Sequence, residues 1–342
     1  IDIEAGDIVS LPGLSGDWRV EAIDERDGIR VLAPAVGGDP LAVVSGYEPE
    51  ALPPVPWVTR PDLIVLDIPD PDSSGERKGV LVGARAVPFN PVTVTGPDGA
   101  VELSAPAVVG ELVTPLPRGA VGRWEFANVC DILMAGIDLS AVGDLELLAG
   151  ANRFAVETDT GWEILQARDV ELAGVETYRV ATLLRGLAGT DADMKDIIPA
   201  GARIAYLGQG FEDLPLSNSR IGEDITLMCE AAGRAGDPLT LTSRALHLRP
   251  LSPVHGKAEM KDGDLHLCWT RRTRIDGDSW AGLDVPLGEE TEIYRIEFWS
   301  AGNVIQSFET GDQSLTVTSA DLAAMGVYDT ISVQQGSRTF GY

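Results

Sequence analysis

The sequence predicts an all-β protein built from several antiparallel modules, and three observations support this prediction. Short segments alternate apolar and polar side chains, which is typical of half-buried β-strands. Glycine and proline account for 60 of the 342 residues (38 and 22), well above the average share of about 12 per cent. Helical periodicity is scarce, and single helical turns are predicted only near 122–127, 191–196 and 319–326.

The first 46 residues are predicted to form a short β-barrel segment. Its strand candidates are Ala5–Leu11, Trp18–Ile23 and Gly28–Val36. Three strands bury too little surface to be stable alone, so the unit at 1–46 is interpreted as the end of a hub-like barrel that begins upstream. Residues 47–60 are predicted to be a proline-rich linker, because the four prolines between Pro49 and Pro56 enforce an extended backbone.

Residues 61–248 form the largest predicted region, a central antiparallel β-sandwich or barrel. Ten segments carry the strand pattern, at spacings that suit such a fold. They are Leu63–Ile68, Gly79–Pro88, Val92–Thr95, Ala100–Ser104, Arg153–Glu157, Trp162–Gln166, Tyr178–Leu184, Arg203–Leu207, Ile225–Cys229 and Pro238–Thr242. Asp191 is the predicted N-cap of the short helical turn at 191–196.

Residues 249–342 are predicted to form a C-terminal fibronectin type III-like sandwich. Core-facing positions alternate along two strands, in the order Leu265, Leu267, Trp269 and then Tyr294, Ile296, Phe298. Further strand candidates are Val304–Glu309, Ser314–Val317 and Tyr328–Val333. One capped helical turn lies between them, with Ser319 as N-cap and Gly326 as C′. About seven short strands are expected for this architecture.

The loop between Trp269 and Glu292 is longer than a plain hairpin needs, and loops of this length tend to be functional. It carries three arginines, several carboxylates and a tryptophan. Two interpretations remain open: an ordered ion-pair loop that braces its own sandwich, or a surface that contacts a partner or the host, since Arg and Trp dominate interface hot spots. The candidate contact residues are Arg271, Arg272, Arg274, Asp276, Asp278 and Trp280.

Composition disfavours several classes of function. The net charge of −27 repels phosphates, so sequence-specific nucleic-acid binding is not expected. No apolar run approaches the roughly 20 residues needed for a transmembrane segment. The three cysteines are isolated and odd in number, which does not indicate a disulfide framework.

No catalytic, cofactor-binding or metal-binding residues are predicted. Ser279 lies in a segment like a nucleophile elbow, but the required histidine never follows it, because the last histidine is His266. His266 and Cys268 share one strand face without the further ligands that structural zinc needs. His247 is predicted at the surface. A calcium site built from Asp70, Asp72, Ser73 and Glu76 is only weakly suggested, because the spacing departs from the EF-hand pattern.

Four segments give the chain a resemblance to a known family. They are Arg249-Pro-Leu-Ser-Pro-Val-His255, Pro117-Arg-Gly-Ala-Val-Gly-Arg-Trp124, Tyr178-Arg-Val-Ala-Thr-Leu-Leu-Arg-Gly-Leu-Ala-Gly-Thr190, and the loop that follows Trp269. Together these segments resemble the C-terminal region of the large tail-tip protein, the baseplate "megatron" or host-specificity protein, of gene transfer agents and related siphophages.

The resemblance implies a structural role at the tail tip of a phage-like particle. The protein would close or open the tail channel and present domains for host-surface attachment. Implied partners are further copies of the chain in a homotrimer, other tail hub or baseplate proteins, and a glycan or protein of the host surface. The implied location is the virion, assembled in the bacterial cytoplasm. A glycosidase-like region lies upstream in longer members, so no enzyme is expected within this fragment.

Two alternatives stay open at this point. The first is a glycan or peptidoglycan hydrolase, which needs two carboxylates at a set separation; with 53 acidic residues, sequence cannot select a pair. The second is a carbohydrate-binding part of a tail protein, with Trp162, Trp280 and Trp299 as candidate aromatic surfaces; half-buried packing is an equally open interpretation of each.

Overall fold

The computed structural model describes residues 3–24, 28–34, 58–72, 74–277 and 285–342. The chain divides into two compact units, Ile1–Pro56 and Trp57–Tyr342. This division falls within the predicted linker at 47–60, most of which lies outside the described residues. The architecture is almost entirely β, as the sequence predicts.

The first unit is a three-stranded antiparallel sheet. Its strands, in the order β1-β2-β3, are β1 (Ile8–Ser10), β2 (Asp17–Asp24) and β3 (Gly28–Pro34). Val20 is buried, and its backbone pairs with Gly6 and Asp7. All three predicted strands are present in this unit.

Residues 62–248 of the second unit contain most of the strands of the chain. In order these elements are β4 (Asp62–Leu66), β5 (Gly79–Arg85), β6 (Val92–Gly96), β7 (Gly99–Leu103), β8 (Val109–Leu112), β9 (Leu116–Pro117), β10 (Cys130–Leu133), α1 (Asp144–Leu148), β11 (Arg153–Glu157), β12 (Trp162–Gly174), β13 (Thr177–Leu184), a 3₁₀ turn (Leu187–Ala192), β14 (Ile197–Ile198), β15 (Arg203–Tyr206), β16 (Phe211–Pro215), a second 3₁₀ turn (Asn218–Arg220), β17 (Asp224–Ala231), β18 (Arg234–Ala235), β19 (Leu239–Thr242) and a third 3₁₀ turn (Leu246–Leu248).

Six of these strands close into a barrel in the order β10-β13-β12-β11-β15-β8. Every strand therefore has a backbone partner on both sides, and no edge remains. The barrel core is apolar, with Ile132, Met134 and Phe154 fully buried. The thiol of Cys130 also lies in this core, and burial raises its pKa to about 12.

Two further sheets pack against each other, and the first of them also contacts the barrel. One has the order β16-β5-β4, and the other has the order β18-β17-β6-β7 with β19 paired to β17. Val82, Val94 and Leu227 have no exposed surface and belong to the core that the two sheets share. The opposite face of the first sheet contacts the barrel through Ile64 and Leu66.

The C-terminal region is a sandwich of two three-stranded antiparallel sheets, as the sequence predicts. Its elements are β20 (Val254–Lys261), β21 (Asp264–Thr270), β22 (Tyr294–Ser300), β23 (Asn303–Thr310), β24 (Ser314–Val317), α2 (Ser319–Met325) and β25 (Thr330–Gln335). The sheet orders are β20-β21-β24 and β23-β22-β25. The six predicted core positions are all buried: Leu265, Leu267, Trp269, Tyr294, Ile296 and Phe298.

Several local expectations were wrong. Residues 122–127 form no helix, since they are bridged to β13 through Glu125 and Leu183. The 3₁₀ turn starts after Gly186, so Asp191 is not its N-cap. Thr318, not Ser319, caps α2 and accepts a hydrogen bond from the Asp321 amide. Among the described residues, no helix is long and apolar enough to cross a membrane.

Candidate functional site

The segment 185–193, called here the junction turn, follows barrel strand β13 and contacts residues that come from the C-terminal part of the chain. Gly186, Ala188 and Gly189 all adopt left-handed backbone conformations, with φ of 60°, 52° and 86°. Glycine occupies two of these positions because it has no Cβ to oppose such angles. At Gly189 a Cβ would also lie 2.6 Å from Leu251 Cδ2. Leu251, in the segment between β19 and β20, therefore packs directly on the backbone of this turn.

A buried ion pair anchors the junction turn to the barrel. Arg185 donates from Nε and Nη2 to the two carboxylate oxygens of Glu163, at 2.5 and 2.8 Å, and both side chains are fully buried. The Gly186 amide donates to the same carboxylate at 3.3 Å, and Arg185 Nη1 donates to the Pro117 carbonyl at 3.0 Å. Such a bidentate pair fixes the orientation of the two side chains as well as the distance between them.

The segment 117–125 wraps the same ion pair. Backbone amides of Ala120 and Ala127 donate to the Glu125 carboxylate, and these bonds, aided by the charge of Arg185, lower the pKa of Glu125. Arg118 Nη1 donates to the Met194 carbonyl at 2.7 Å. Two of the four segments that carry the family resemblance therefore meet at one end of the barrel.

The other two segments reach the junction turn from the sandwich side. Arg272 donates to Asp191 Oδ1 at 3.1 Å and to the Ser252 carbonyl at 2.6 Å. Arg249 donates to the carbonyls of Arg244 and Tyr342, at 3.0 and 3.1 Å. Leu251, in the segment after β19, and Arg272, in the long loop, therefore both contact the junction turn.

The other two predicted arginines of the long loop bind groups of the loop itself. Arg271 pairs with Glu292 at 3.2 Å and donates to the Val285 carbonyl at 2.6 Å. Arg274 pairs with Glu289 at 2.9 Å. Burial raises the pKa of Glu289, while the hydrogen bond from Arg274 opposes that rise. These contacts match the interpretation of an ordered ion-pair loop that braces its own sandwich.

The predicted contact surface is only partly described. Asp276 is exposed and has a left-handed backbone, with φ of 52°. Asp278 and Trp280 lie outside the described residues. A partner contact by Arg271, Arg272, Arg274, Asp276, Asp278 and Trp280 therefore stays a prediction, with the three arginines already held in place.

His247 is buried, which corrects its predicted position at the surface. Alternation does not apply here because Leu246–Leu248 is a 3₁₀ turn that follows left-handed Ala245. Asp67 holds this turn by accepting hydrogen bonds from the amides of Arg244 and Leu246, at 2.7 and 3.2 Å. Burial lowers the pKa of His247, and Nδ1 has no hydrogen-bond partner among the described residues.

The carboxylates of the weakly suggested calcium site are engaged in hydrogen bonds and an ion pair. Asp70 accepts hydrogen bonds from the Ser74 hydroxyl and from the amides of Asp72, Ser74 and Gly75. Asp72 pairs with Arg153 at 2.6 Å, and Ser73 lies outside the described residues. In the part of the chain that the structure describes, no three His, Cys, Asp or Glu side chains are grouped to hold a metal ion.

The remaining candidate side chains are also engaged. His266 Nδ1 lies 2.9 Å from Thr316 Oγ1 on the outer face of the sandwich, where Cys268 is exposed. Trp162 is buried, with the Arg203 guanidinium 5.6 Å from its ring centre. Trp299 Nε1 donates to Ser332 at 2.9 Å. Trp162 therefore presents no open aromatic face to a sugar.

Comparisons with known proteins identify one matching family. The family described as "Rcc01698-like, C-terminal" matches residues 107–205, which include all of the closed barrel except Tyr206 and two of the four resemblance segments. No curated protein matches the chain. Among solved structures, the FN1-FN3 domains of chicken CNTN1 share 10% identity over 83% of this chain and 96% of that chain, with a TM-score of 0.19. A score that low supports no structural argument.

No local pattern in the sequence indicates the residues that matter most at the junction turn. Arg185 and Glu163 are 22 positions apart, and each stands in an apolar strand context in which a lone charge is usually exposed. Their contact follows from the antiparallel pairing of β12 with β13, in which Gln166 lies opposite Leu184. These contacts form a joint between the barrel region and the sandwich, because the junction turn holds Leu251 and Arg272 in place.

Proposed function

We propose that this chain is a structural component of the tail tip of a phage-like particle, either a gene transfer agent or a siphophage. In that role it contributes β modules that close the tail channel and present the sandwich toward the host surface. Its partners are further copies of the chain, other hub or baseplate proteins, and a glycan or protein on the host. The resemblance of four segments supports this proposal, and the family match at 107–205 covers two of them.

One observation carries the proposal. All four resemblance segments converge on the junction turn, where their polar side chains connect one module to the next. Arg185 donates to the Pro117 carbonyl, Arg272 donates to Asp191, and Leu251 lies against Gly189. Residues selected for chemistry would instead converge on a cleft with free, pKa-shifted groups. A rigid joint between β modules is what an architectural protein needs.

The charge of the chain is consistent with a position beside a DNA channel. A net charge of −27 disfavours adsorption of a passing polyanion. Acidic walls would let DNA move without sticking. Mapping the carboxylates in an assembled particle tests this part separately, and a channel wall with no acidic bias would contradict it.

The decisive experiment locates the chain in a particle. Particles are purified from a producing strain that carries a small epitope insertion in the exposed hairpin at Val175, which is 89% exposed. Antibody labelling viewed by electron microscopy should mark the tail tip alone. Label on the capsid, along the tail tube, or absent from intact particles would overturn the proposal.

A second experiment examines the long loop. Deleting residues 276–284 should impair particle assembly or adsorption while the sandwich stays folded. The matched control deletes the exposed turn at Gly233, which lies far from the loop in sequence and has open space around it. Normal particle yield and infectivity after the loop deletion would exclude this loop as a contact surface.

A further inference from the structure

A cleft of about 250 Å³ lies beside the junction turn. Three parts of the chain supply most of its lining: the junction turn from Ala188 onward, the segment 244–252 that follows β19, and the end of β25 at Gln334 and Gln335. The volume is just below the roughly 300–1,000 Å³ of pockets that hold drug-sized ligands. One sugar unit therefore fits into the cleft, whereas the rest of a larger ligand would project from it.

Gln335 brings an unsatisfied hydrogen-bond acceptor to this cleft. The residue lines the cleft with only 3% of its surface exposed, and its Oε1 has no hydrogen-bond partner among the described residues. It lies opposite the core residue Tyr294, so its side chain faces the interior at the end of β25. Buried polar groups almost always have a partner. The cleft is the place from which a donor can reach this one.

Two arginines give the cleft positive charge in a chain whose net charge is −27. Arg244 donates to the Thr160 carbonyl, and Arg249 donates to the carbonyls of Arg244 and Tyr342. These acceptors are neutral, and within the described part of the chain neither guanidinium forms an ion pair with a carboxylate. Because a guanidinium has five N–H donors, both arginines retain N–H groups for an anionic ligand.

Asp193 also lines the cleft and limits what can bind there. It is buried, and its Oδ1 accepts a hydrogen bond from the Thr160 hydroxyl at 2.9 Å. Two arginines and one aspartate leave one positive charge, which a ligand with a single negative charge balances. Asp193 is the only carboxylate among the described residues that line the cleft. Since glycoside hydrolysis needs two carboxylates, the cleft is suited to binding a sugar and not to cleaving one.

We infer that this cleft binds one hexuronic acid unit of an acidic glycan. The sugar carboxylate accepts hydrogen bonds from Arg244 and Arg249, and ring hydroxyls donate to Gln335 Oε1 and to Asp193. Inorganic phosphate fits less well, because it offers mainly acceptors to Gln335 and is repelled by Asp193. A neutral sugar supplies the hydroxyl donors without the charge that the arginines favour.

The biological use of this site rests on the proposed function, since a chain at a tail tip meets the glycans of the host surface. The binding does not rest on it, because binding is measured on the purified chain. Failure to bind would leave the location of the chain in a particle untouched. Conversely, antibody label away from the tail tip would leave a positive binding result standing.

The test is a ligand-observed NMR titration of the purified chain with small glycosides. The probes are methyl glucuronide and methyl galacturonide, with methyl glucoside and methyl galactoside as neutral counterparts and inorganic phosphate as an anion without a sugar ring. We expect at least one acidic glycoside to bind about tenfold or more tightly than its neutral counterpart, because charge-assisted hydrogen bonds are about twice as strong as neutral ones. Equal affinities in both pairs, no binding, or phosphate binding as tightly as the acids would overturn the inference.

Gln335→Met tests the buried acceptor. The substitution keeps the length of the side chain and removes Oε1, so affinity for the acidic glycoside should fall about fivefold or more. The unfolding midpoint should not fall, because the replaced group has no partner within the described residues. Gln306→Met, at an exposed position on β23 outside the cleft, is the matched control and should leave binding unchanged. Undiminished affinity in Gln335→Met would contradict the assigned contact.

Arg244→Gln tests the charge independently, at an exposed position where folding is not at risk. The preference for the acidic over the neutral glycoside should fall at least about threefold, since one of the two charged donors is lost. Arg234→Gln, exposed on β18 and outside the cleft, is the matched control for the change in net charge. An equal loss of preference in the two variants would assign the effect to the overall field of the protein and would contradict a site in this cleft.

Discussion

The barrel and the C-terminal sandwich solve the problem of strand edges in opposite ways. The six barrel strands close on themselves, so each has two neighbours, whereas the sandwich leaves β20, β24, β23 and β25 as outer strands of their sheets. The barrel also buries a charged pair completely, while the sandwich places its arginines in half-exposed pairs. A closed module can serve as a rigid base, and an open one can still accept backbone partners.

The largest expected effect breaks the barrel side of this comparison. Glu163→Gln leaves Arg185 fully buried without its counter-charge, and loss of one partner of a buried pair costs about 3–5 kcal/mol. Denaturant unfolding followed by the fluorescence of the barrel region measures this loss. The matched control is Glu157→Gln, which breaks the exposed pair with Arg203 and should cost about 1 kcal/mol or less. Similar costs for the two variants would refute the importance assigned to burial.

The second prediction addresses the joint between the two modules. Gly189→Ala should destabilise packing of Leu251 on the junction turn by about 1–3 kcal/mol, since the new Cβ would collide with that side chain. Gly201→Ala is the control, because Gly201 has a similar φ of 83° but open space around it. Limited proteolysis should cleave near residues 249–253 faster in the first variant. Equal cleavage rates in the two variants would contradict a packed joint.

A smaller effect should follow from Arg272→Ala, on the sandwich side of the joint. The pair with Asp191 is partly exposed, so its loss should cost about 0.5–1 kcal/mol. A double-mutant cycle with Asp191→Asn measures the coupling directly. Arg295→Ala, which removes the more exposed pair with Glu309, serves as the comparison. A coupling energy of zero at Arg272 would mean that the pair does not contribute to the joint.

The smallest effect concerns pH. Burial lowers the pKa of His247 despite the opposing charge of Asp67; Asp213 also favours the charged ring, while Arg77 and Arg274 disfavour it. A neutral ring therefore stabilises the fold fully above the unfolded-state pKa of about 6.5, and this stabilisation is lost as pH falls below that value. His247→Gln should reduce the difference in unfolding midpoint between pH 7.5 and 5.5. An unchanged difference would show that His247 does not titrate with folding.

Sequence patterns identified the sandwich better than the barrel, for a physical reason. Leu265, Leu267 and Trp269 lie on a half-buried strand, where strict alternation reflects one wet face and one dry face. The barrel strands β8 and β10 escaped detection. β8 contains Gly110, whose missing side chain lets the Leu133 carbonyl approach to 1.8 Å from where a Cβ would be. Barrel closure, not local pattern, makes these segments strands.

The junction turn was even less accessible to sequence reasoning. Its four contributing segments were recognised one by one, but nothing local indicated that they meet. Arg272 and Asp191 are 81 positions apart, and their contact depends on the folded structure on both sides of the joint. The arginines of the long loop were found as candidates by residue type, whereas their partners Glu289 and Glu292 were fixed only by the fold.

The three cysteines have a practical consequence for all these measurements. Cys130 and Cys229 are buried, and desolvation raises the pKa of both thiols, so neither offers a reactive thiolate at neutral pH. Cys268 is exposed on β21. A maleimide dye added to the folded protein should therefore attach at one position only. Without any engineering, the wild-type chain supplies a spectroscopic reporter on its C-terminal sandwich.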